Sequence, residues 1–122
     1  MEFFIRQGST TPILKLQLID DGKNDMSSFN DQLENAVIRF EMSDSTTNEP
    51  FILDAPCYIT TKTELYNQTT TSYYIVYNFN CEQTRRVGKY EGKITIYFRD
   101  TNLNSTGTLI LPVREKLYIN IF

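Results

Sequence analysis

Apolar and polar residues alternate with a period of two along much of the chain, the pattern of a strand with one face in a core and the other in water. Leu14, Leu16 and Leu18 are separated by Lys15 and Gln17, and Ile38, Phe40 and Met42 by Arg39 and Glu41. Ile75, Tyr77 and Phe79, then Ile94, Ile96 and Phe98, then Leu117, Ile119 and Ile121 repeat the pattern. Shorter candidates lie at 3–6, 50–54, 57–61 and 107–113. The count, about eight or nine strands, predicts an all-β fold, an antiparallel β-sandwich.

Turn chemistry separates these runs. Asp20 to Asp25, Ser43 to Asn48, Asn78 to Thr84 and Asp100 to Asn104 are rich in residues that cap turns or tolerate positive φ. Residues 26–35 hold one short helical turn at most, with Ser28 as its N-cap, and read better as a crossover loop. Gly88-Lys89-Tyr90-Glu91-Gly92 runs straight into the strand from Lys93 to Phe98. It places a tyrosine just inside a strand after a glycine, where a phenol can bond back across the corner between two sheets. An ordinary buried tyrosine is the other reading.

At 122 residues the chain suits one domain, spanning 1–122, and 40% hydrophobic and 22% charged residues with eight Tyr and eight Phe suit a folded, strand-rich one. The formal charge of -3 argues against nucleic acid as a partner, since phosphate binding needs clustered Lys and Arg. Residues 1–64 hold 5 basic and 11 acidic residues, and 65–122 hold 7 basic and 4 acidic. If strands of the two halves lay on different faces, copies would attract each other head to tail; an ordinary scatter of surface charge is the plainer reading. No apolar run approaches the ~18 residues of a membrane span and no basic leader precedes one, so the expected place of synthesis and residence is a cytoplasm, with no membrane partner. Cys57 and Cys81 then read as buried, reduced, apolar residues on separate strands, and the sequons at Asn67 and Asn104 as polar loop composition.

The chain contains no His, which removes the commonest general base and transition-metal ligand. Asp20, Asp21, Asp25, Asp44 and Asp54 fall in turn-like segments where capping explains them. The Asp20 to Asp25 loop lacks the alternating ligand pattern of a calcium loop, and the five glycines are too isolated to cradle a phosphate. The expectation is a protein with no catalytic residues, no metal and no cofactor. The aromatic run from Tyr73 to Phe79 leaves one opening, a stacking face for carbohydrate. With one face of that strand committed to the core, Tyr58, Tyr74 and Tyr97 are the candidates for glycan or partner contact.

Four segments, in order, carry a resemblance. Ile5-Arg6-Gln7-Gly8-Ser9-Thr10-Thr11-Pro12 is followed by Ala36-Val37-Ile38-Arg39-Phe40-Glu41-Met42, by Gly88-Lys89-Tyr90-Glu91-Gly92-Lys93-Ile94, and by Leu111-Pro112-Val113 leading to Leu117-Tyr118-Ile119-Asn120-Ile121. In order and spacing they resemble the N-terminal domain of siphophage upper baseplate proteins. The resemblance implies an immunoglobulin-like sandwich, with Gly92 standing where an immunoglobulin domain has its second Cys. It also implies a non-enzymatic virion structural protein of a tailed bacteriophage, at the tail, baseplate, neck or capsid surface, whose partners are other virion proteins and further copies of itself. The chain reaches Phe122 on its last strand with no fibre after it, which favours an adaptor or decoration protein. Strands near both termini, 3–7 and 115–121, are the expected docking edges. The alternative is a carbohydrate-binding module for host-surface glycans using Tyr58, Tyr74 and Tyr97.

Overall fold

The computed structural model describes residues 1–18, 36–65, 69–100, 105–112 and 115–122. Among them run β1 (Glu2–Ile5), β2 (Leu14–Leu18), β3 (Val37–Asp44), β4 (Pro50–Pro56), β5 (Tyr58–Leu65), β6 (Thr69–Tyr77), β7 (Gly88–Asp100), β8 (Ser105–Leu111) and β9 (Leu117–Ile121). The aspartate loop at 20–25, the crossover loop expected within 26–35, the turn at 101–104 and sequon residues Asn67 and Asn104 lie outside the described residues.

The strands form two sheets. One has the order β1-β9-β7-β3-β4, with β8 also paired to β7; the other has the order β2-β6-β5. The first sheet is organised by β7, whose 13 residues exceed what a single neighbour covers. On one side β7 pairs β3 along 90–97. On its other side the first half, 88–92, pairs β9 and the second half, 94–100, pairs β8. β1 then adds to the far side of β9 in parallel, so the chain's first and last strands are neighbours.

The core lies between the sheets and contains the residues that the alternation placed there. Ile38, Phe40 and Met42 of β3, Ile94 and Ile96 of β7, and Leu117, Ile119 and Ile121 of β9 face Leu14, Ile75, Tyr77 and Phe79 from the opposite layer. Aromatic rings join the layers: Phe40 stacks on Tyr77 with centroids 4.3 Å apart, and Phe79 meets both rings edge-on at 5.8 and 4.9 Å. Such pairs contribute about 0.5–1.5 kcal/mol beyond the area they bury. Gly92 makes room for this. A Cβ at that position would lie 3.1 Å from Phe40 Cε2 and 3.3 Å from Leu117 Cδ2.

The corner tyrosine takes up its bond. Tyr90 Oη donates to the Arg86 carbonyl at 3.0 Å, in the segment that carries the chain from β6 in one sheet to β7 in the other. Its ring stacks on Phe51 at 5.4 Å. The Gln7-Gly8-Ser9 element fastens the same segment. Gln7 Nε2 donates to the Arg85 carbonyl at 2.7 Å and Thr84 Oγ1 to the Ser9 carbonyl at 2.8 Å. Gly8 N donates to the Thr84 carbonyl at 3.0 Å, and Gln7 N to the Phe122 carbonyl at 2.7 Å. Gly8 stands at φ 77°, a conformation that costs glycine little.

Two expectations are corrected, and one alternative is set aside. The two thiols are free, but neither is on a strand: Cys57 is half-buried at the residue between β4 and β5, and Cys81 is exposed in the turn at 81–84. Segment 115–121 is no sheet edge, because β9 is hydrogen-bonded on both sides, to β1 and β7. Among the described residues the acidic and basic halves of the chain do not form separate faces, in keeping with the plainer reading of scattered charge. β1 lies beside β9, β2 beside β6 and β3 beside β7, so each sheet interleaves both halves, and Glu2 pairs with Lys89 at 3.4 Å.

Core truncations rank the faces. Phe40→Ala and Ile96→Ala will each destabilise by on the order of 3 kcal/mol in chemical denaturation. Arg39→Ala and Thr95→Ala, on the other face, will cost less than about 1 kcal/mol; the reverse ranking would put the registers off by one. Tyr90→Phe removes one buried hydrogen bond and will cost about 1 kcal/mol. An unchanged midpoint would deny the corner bond any share in stability.

Candidate functional site

Two places where the chain changes sheets lie side by side and enclose a groove. β4 ends at Pro56 in the larger sheet, β5 begins at Tyr58 in the smaller one, and Cys57 alone bridges them. The bridge is held by Cys57 N, which donates to the Ile38 carbonyl at 3.0 Å. Close by, the chain leaves β6 at Tyr77 and turns through Asn78 and Asn80 toward Gln83. The groove between them has a volume of about 430 Å³, and Cys57, Tyr58, Tyr77, Asn78, Asn80 and Gln83 line it together with Ala55 and Pro56.

Its polar groups are bonded to one another. Tyr77 Oη donates to Gln83 Oε1 at 2.8 Å, and Asn80 N donates to the same oxygen at 3.1 Å. Gln83 N donates in return to Asn80 Oδ1 at 2.9 Å. The two backbone donors fix which end of each amide is oxygen, since only oxygen can accept. In the same lining Asn78 Nδ2 donates to Tyr58 Oη at 2.8 Å. Tyr77 thus has its ring in the core and its hydroxyl at the groove, and burial raises its phenol above the usual range. Among the described residues no Lys, Arg, Asp or Glu lines the groove, and burial pushes the Cys57 thiol up to about 12 against a smaller opposing effect of the Arg39 charge, so it too is neutral near pH 7.

The three candidate tyrosines occupy different surroundings. Tyr58 is 45% exposed and belongs to the groove. Tyr74, half-buried, shares the outer face of the smaller sheet with Tyr58 in the strand register and has Lys15 Nζ 4.4 Å from its ring centroid. Tyr97, also 45% exposed, stands on the larger sheet opposite Val37 and Thr108. They do not form one stacking platform. The amides Asn78, Asn80 and Gln83 were hidden in the sequence because they read as turn composition. Their one signal was a cluster of amides directly after an aromatic strand.

Of the two candidate aspartates described, Asp44 caps a turn, whereas Asp54, expected in a turn-like segment, lies within β4. Asp44 Oδ1 accepts from Thr46 N at 2.8 Å and Thr47 N at 3.0 Å, which holds its carboxyl below the usual range. Asp54 sits at φ 53° in β4, where pairing with β3 is irregular, with its carboxylate 3.7 Å from Arg39 Nε.

The second exposed feature is the β1 edge. Asn120 Nδ2 donates to Glu2 Oε2 at 2.6 Å and to the Phe3 carbonyl at 3.3 Å, clamping β1 onto β9. That bond, with Lys89 beside it, holds the Glu2 carboxyl below its usual range. Beyond β1 no strand follows among the described residues. Phe4 is 58% exposed on it and Phe122 61% exposed at the end of β9.

Thiol chemistry will separate the two cysteines. Thiolate is the reactive form, so in native protein near pH 8 a disulfide reagent will modify exposed Cys81 rapidly and Cys57 only on unfolding. Cys81→Ser will abolish the fast phase; a fast phase surviving that change would place a reactive thiolate at Cys57. The raised Cys57 value also carries a sign: its contribution to stability is complete below the unfolded thiol's pKa and is lost as pH rises toward 12.

Compared with family models, with curated proteins and with solved structures, the chain matches none.

Proposed function

We propose that this chain is a non-enzymatic virion structural protein of a tailed bacteriophage, an immunoglobulin-like adaptor or decoration module at the tail, baseplate, neck or capsid surface. It works by protein–protein contact, with copies of itself and with other virion proteins, after synthesis in the host cytoplasm. The observation that carries the contact role is the β1 edge. Natural sheets blunt their free edges with proline, charge, bulges or twist. β4, the opposite edge of the same sheet, does so: it has Pro50 and Pro56, an irregular register and Asp54 in a left-handed conformation. β1 instead presents Phe4 beside a backbone row unpaired among the described residues, with Phe122 exposed at the end of the adjacent β9. A short strand offers few backbone bonds, so exposed rings of this kind supply the apolar area that an interface needs.

The strand order supports the immunoglobulin-like reading. Placing β9, β7, β3 and β4 opposite β2, β6 and β5 corresponds to strands G, F, C and C′ opposite B, E and D. On that alignment β7 is strand F, and a phenol bonding upstream from the start of strand F, two residues before the usual Cys position, is what such domains contain. Tyr90 and Gly92 have that spacing. Where the intersheet bridge would lie, the Phe40 ring rests against bare Gly92. Both the Gln-Gly-Ser element and the Gly-x-Tyr element of the baseplate resemblance therefore have structural work in a rigid module.

Light scattering across a concentration series tests the contact role. Wild-type protein will form an oligomer of defined mass, and Phe4→Lys will raise its dissociation constant at least about tenfold, or ~1.4 kcal/mol, without changing the monomer's melting. A monomer at every concentration, or an oligomer indifferent to Phe4→Lys, would overturn assembly of copies through β1.

A further inference from the structure

We infer that the groove between the β4–β5 crossing and the connector after β6 is a binding site for a neutral saccharide. The inference goes beyond the structural role and stands whether or not copies pair along β1.

The amides of the groove are fixed but not exhausted. Gln83 Oε1 is committed to Tyr77 Oη and Asn80 N, which leaves both hydrogens of Gln83 Nε2 without a partner among the described residues. Asn80 Oδ1 is committed to Gln83 N, leaving its Nδ2 in the same condition. In the same lining the Asn78 amide and the Tyr58 phenol orient each other, with the Asn78 oxygen and the Tyr58 hydrogen unspent among the described residues. The lining thus combines held amide donors on Gln83 and Asn80 with a donor on Tyr58 and an acceptor on Asn78. A sugar hydroxyl donates and accepts at once, so it matches such a lining, and amide side chains can meet it with either kind of group. Because Tyr77 is anchored in the core through Phe40, ordering the amides costs little on binding.

Charge and shape narrow the ligand further. No ionic side chain is among the described lining residues and the Cys57 thiol is neutral; the Arg39 charge acts on that thiol from outside the lining, so the lining itself has no ionic partner for a phosphate, a carboxylate or an ammonium group. The Tyr58 ring, 45% exposed at the rim, offers an apolar face to the C–H side of a pyranose. The volume of about 430 Å³ falls in the range of small-ligand sites, roughly 300–1,000 Å³. Tyr74 and Tyr97 are not part of the site.

The test is an NMR titration of the full chain with neutral methyl hexosides, methyl N-acetylhexosaminides and their short oligomers at millimolar concentration, following backbone and side-chain amide signals. At least one neutral sugar will give saturable shifts centred on Cys57, Asn78, Asn80 and Gln83. Tyr58→Ala and Asn78→Ala, both at exposed positions, will weaken it by about tenfold or more, or ~1.4 kcal/mol, at unchanged melting temperature. Tyr58→Phe will retain part of the affinity through its ring, and Tyr97→Ala all of it. The inference fails if no neutral sugar saturates, if the shifts map to another surface, if Tyr58→Ala and Asn78→Ala bind as wild type, or if a sugar acid is preferred over its neutral counterpart.

Discussion

The sandwich closes on the stack of Phe40 against Tyr77. Phe40 comes from β3, an inner strand of the larger sheet, and Tyr77 from the last position of β6, the middle strand of the smaller one, so a single ring pair ties an inner strand of one sheet to an inner strand of the other. The pair exists because Gly92, beside Phe40 on β7, has no side chain: a methyl group there would press on both Phe40 and Leu117. Interiors are packed densely enough that such a group cannot be absorbed without a shift of neighbours. The glycine is therefore a packing residue, and the strand tolerates its weak propensity because β3 and β9 hold it on both sides.

The same stack sets up the surface. Tyr77 ends in a hydroxyl that cannot be left unbonded near the core, and Gln83 supplies its acceptor. That requirement brings the connector after β6 back against the sandwich and orients its amides. From the other side, Gln7 and Ser9 hold the connector at Arg85 and Thr84, and Tyr90 holds it at Arg86. A segment that reads as a loop is thus bonded at four consecutive positions, 83 to 86. Rigid placement of polar groups on a connecting segment is how a scaffold presents a recognition surface.

Much of the fold was legible because period two is a geometric consequence of an extended chain. The inward faces of β3, β7 and β9 follow from it residue by residue, and Tyr90 was legible because a glycine two positions before it marks a corner. Pairing was not legible. Nothing local distinguishes a β9 that ends a sheet from one covered by a parallel β1, since the partner is supplied by residues more than a hundred positions away. Val76 shows the same limit in the other direction: it lies on the outer face of β6, away from the core cluster, yet is buried, flanked in register by Lys15 and Tyr58. The groove escaped notice for a related reason. Its amides acquire their roles only when two crossings between sheets meet, and amides in a turn look alike whether they cap the chain or face a ligand.

The β1 edge and the groove make opposite demands on a protein surface, and the molecule separates them. Edge pairing needs unpaired backbone and apolar side chains, so an exposed phenylalanine serves it; recognition of a neutral polar ligand needs fixed donors with no charge to attract counter-ions or salt. Gln7 connects the two regions physically. Its backbone N–H bonds the last residue of the chain beside β1, and its side chain bonds the connector two residues beyond Gln83. A neighbour that ordered the β1 edge would therefore also steady the segment that carries the groove's amides, and the two surfaces share one support without sharing chemistry.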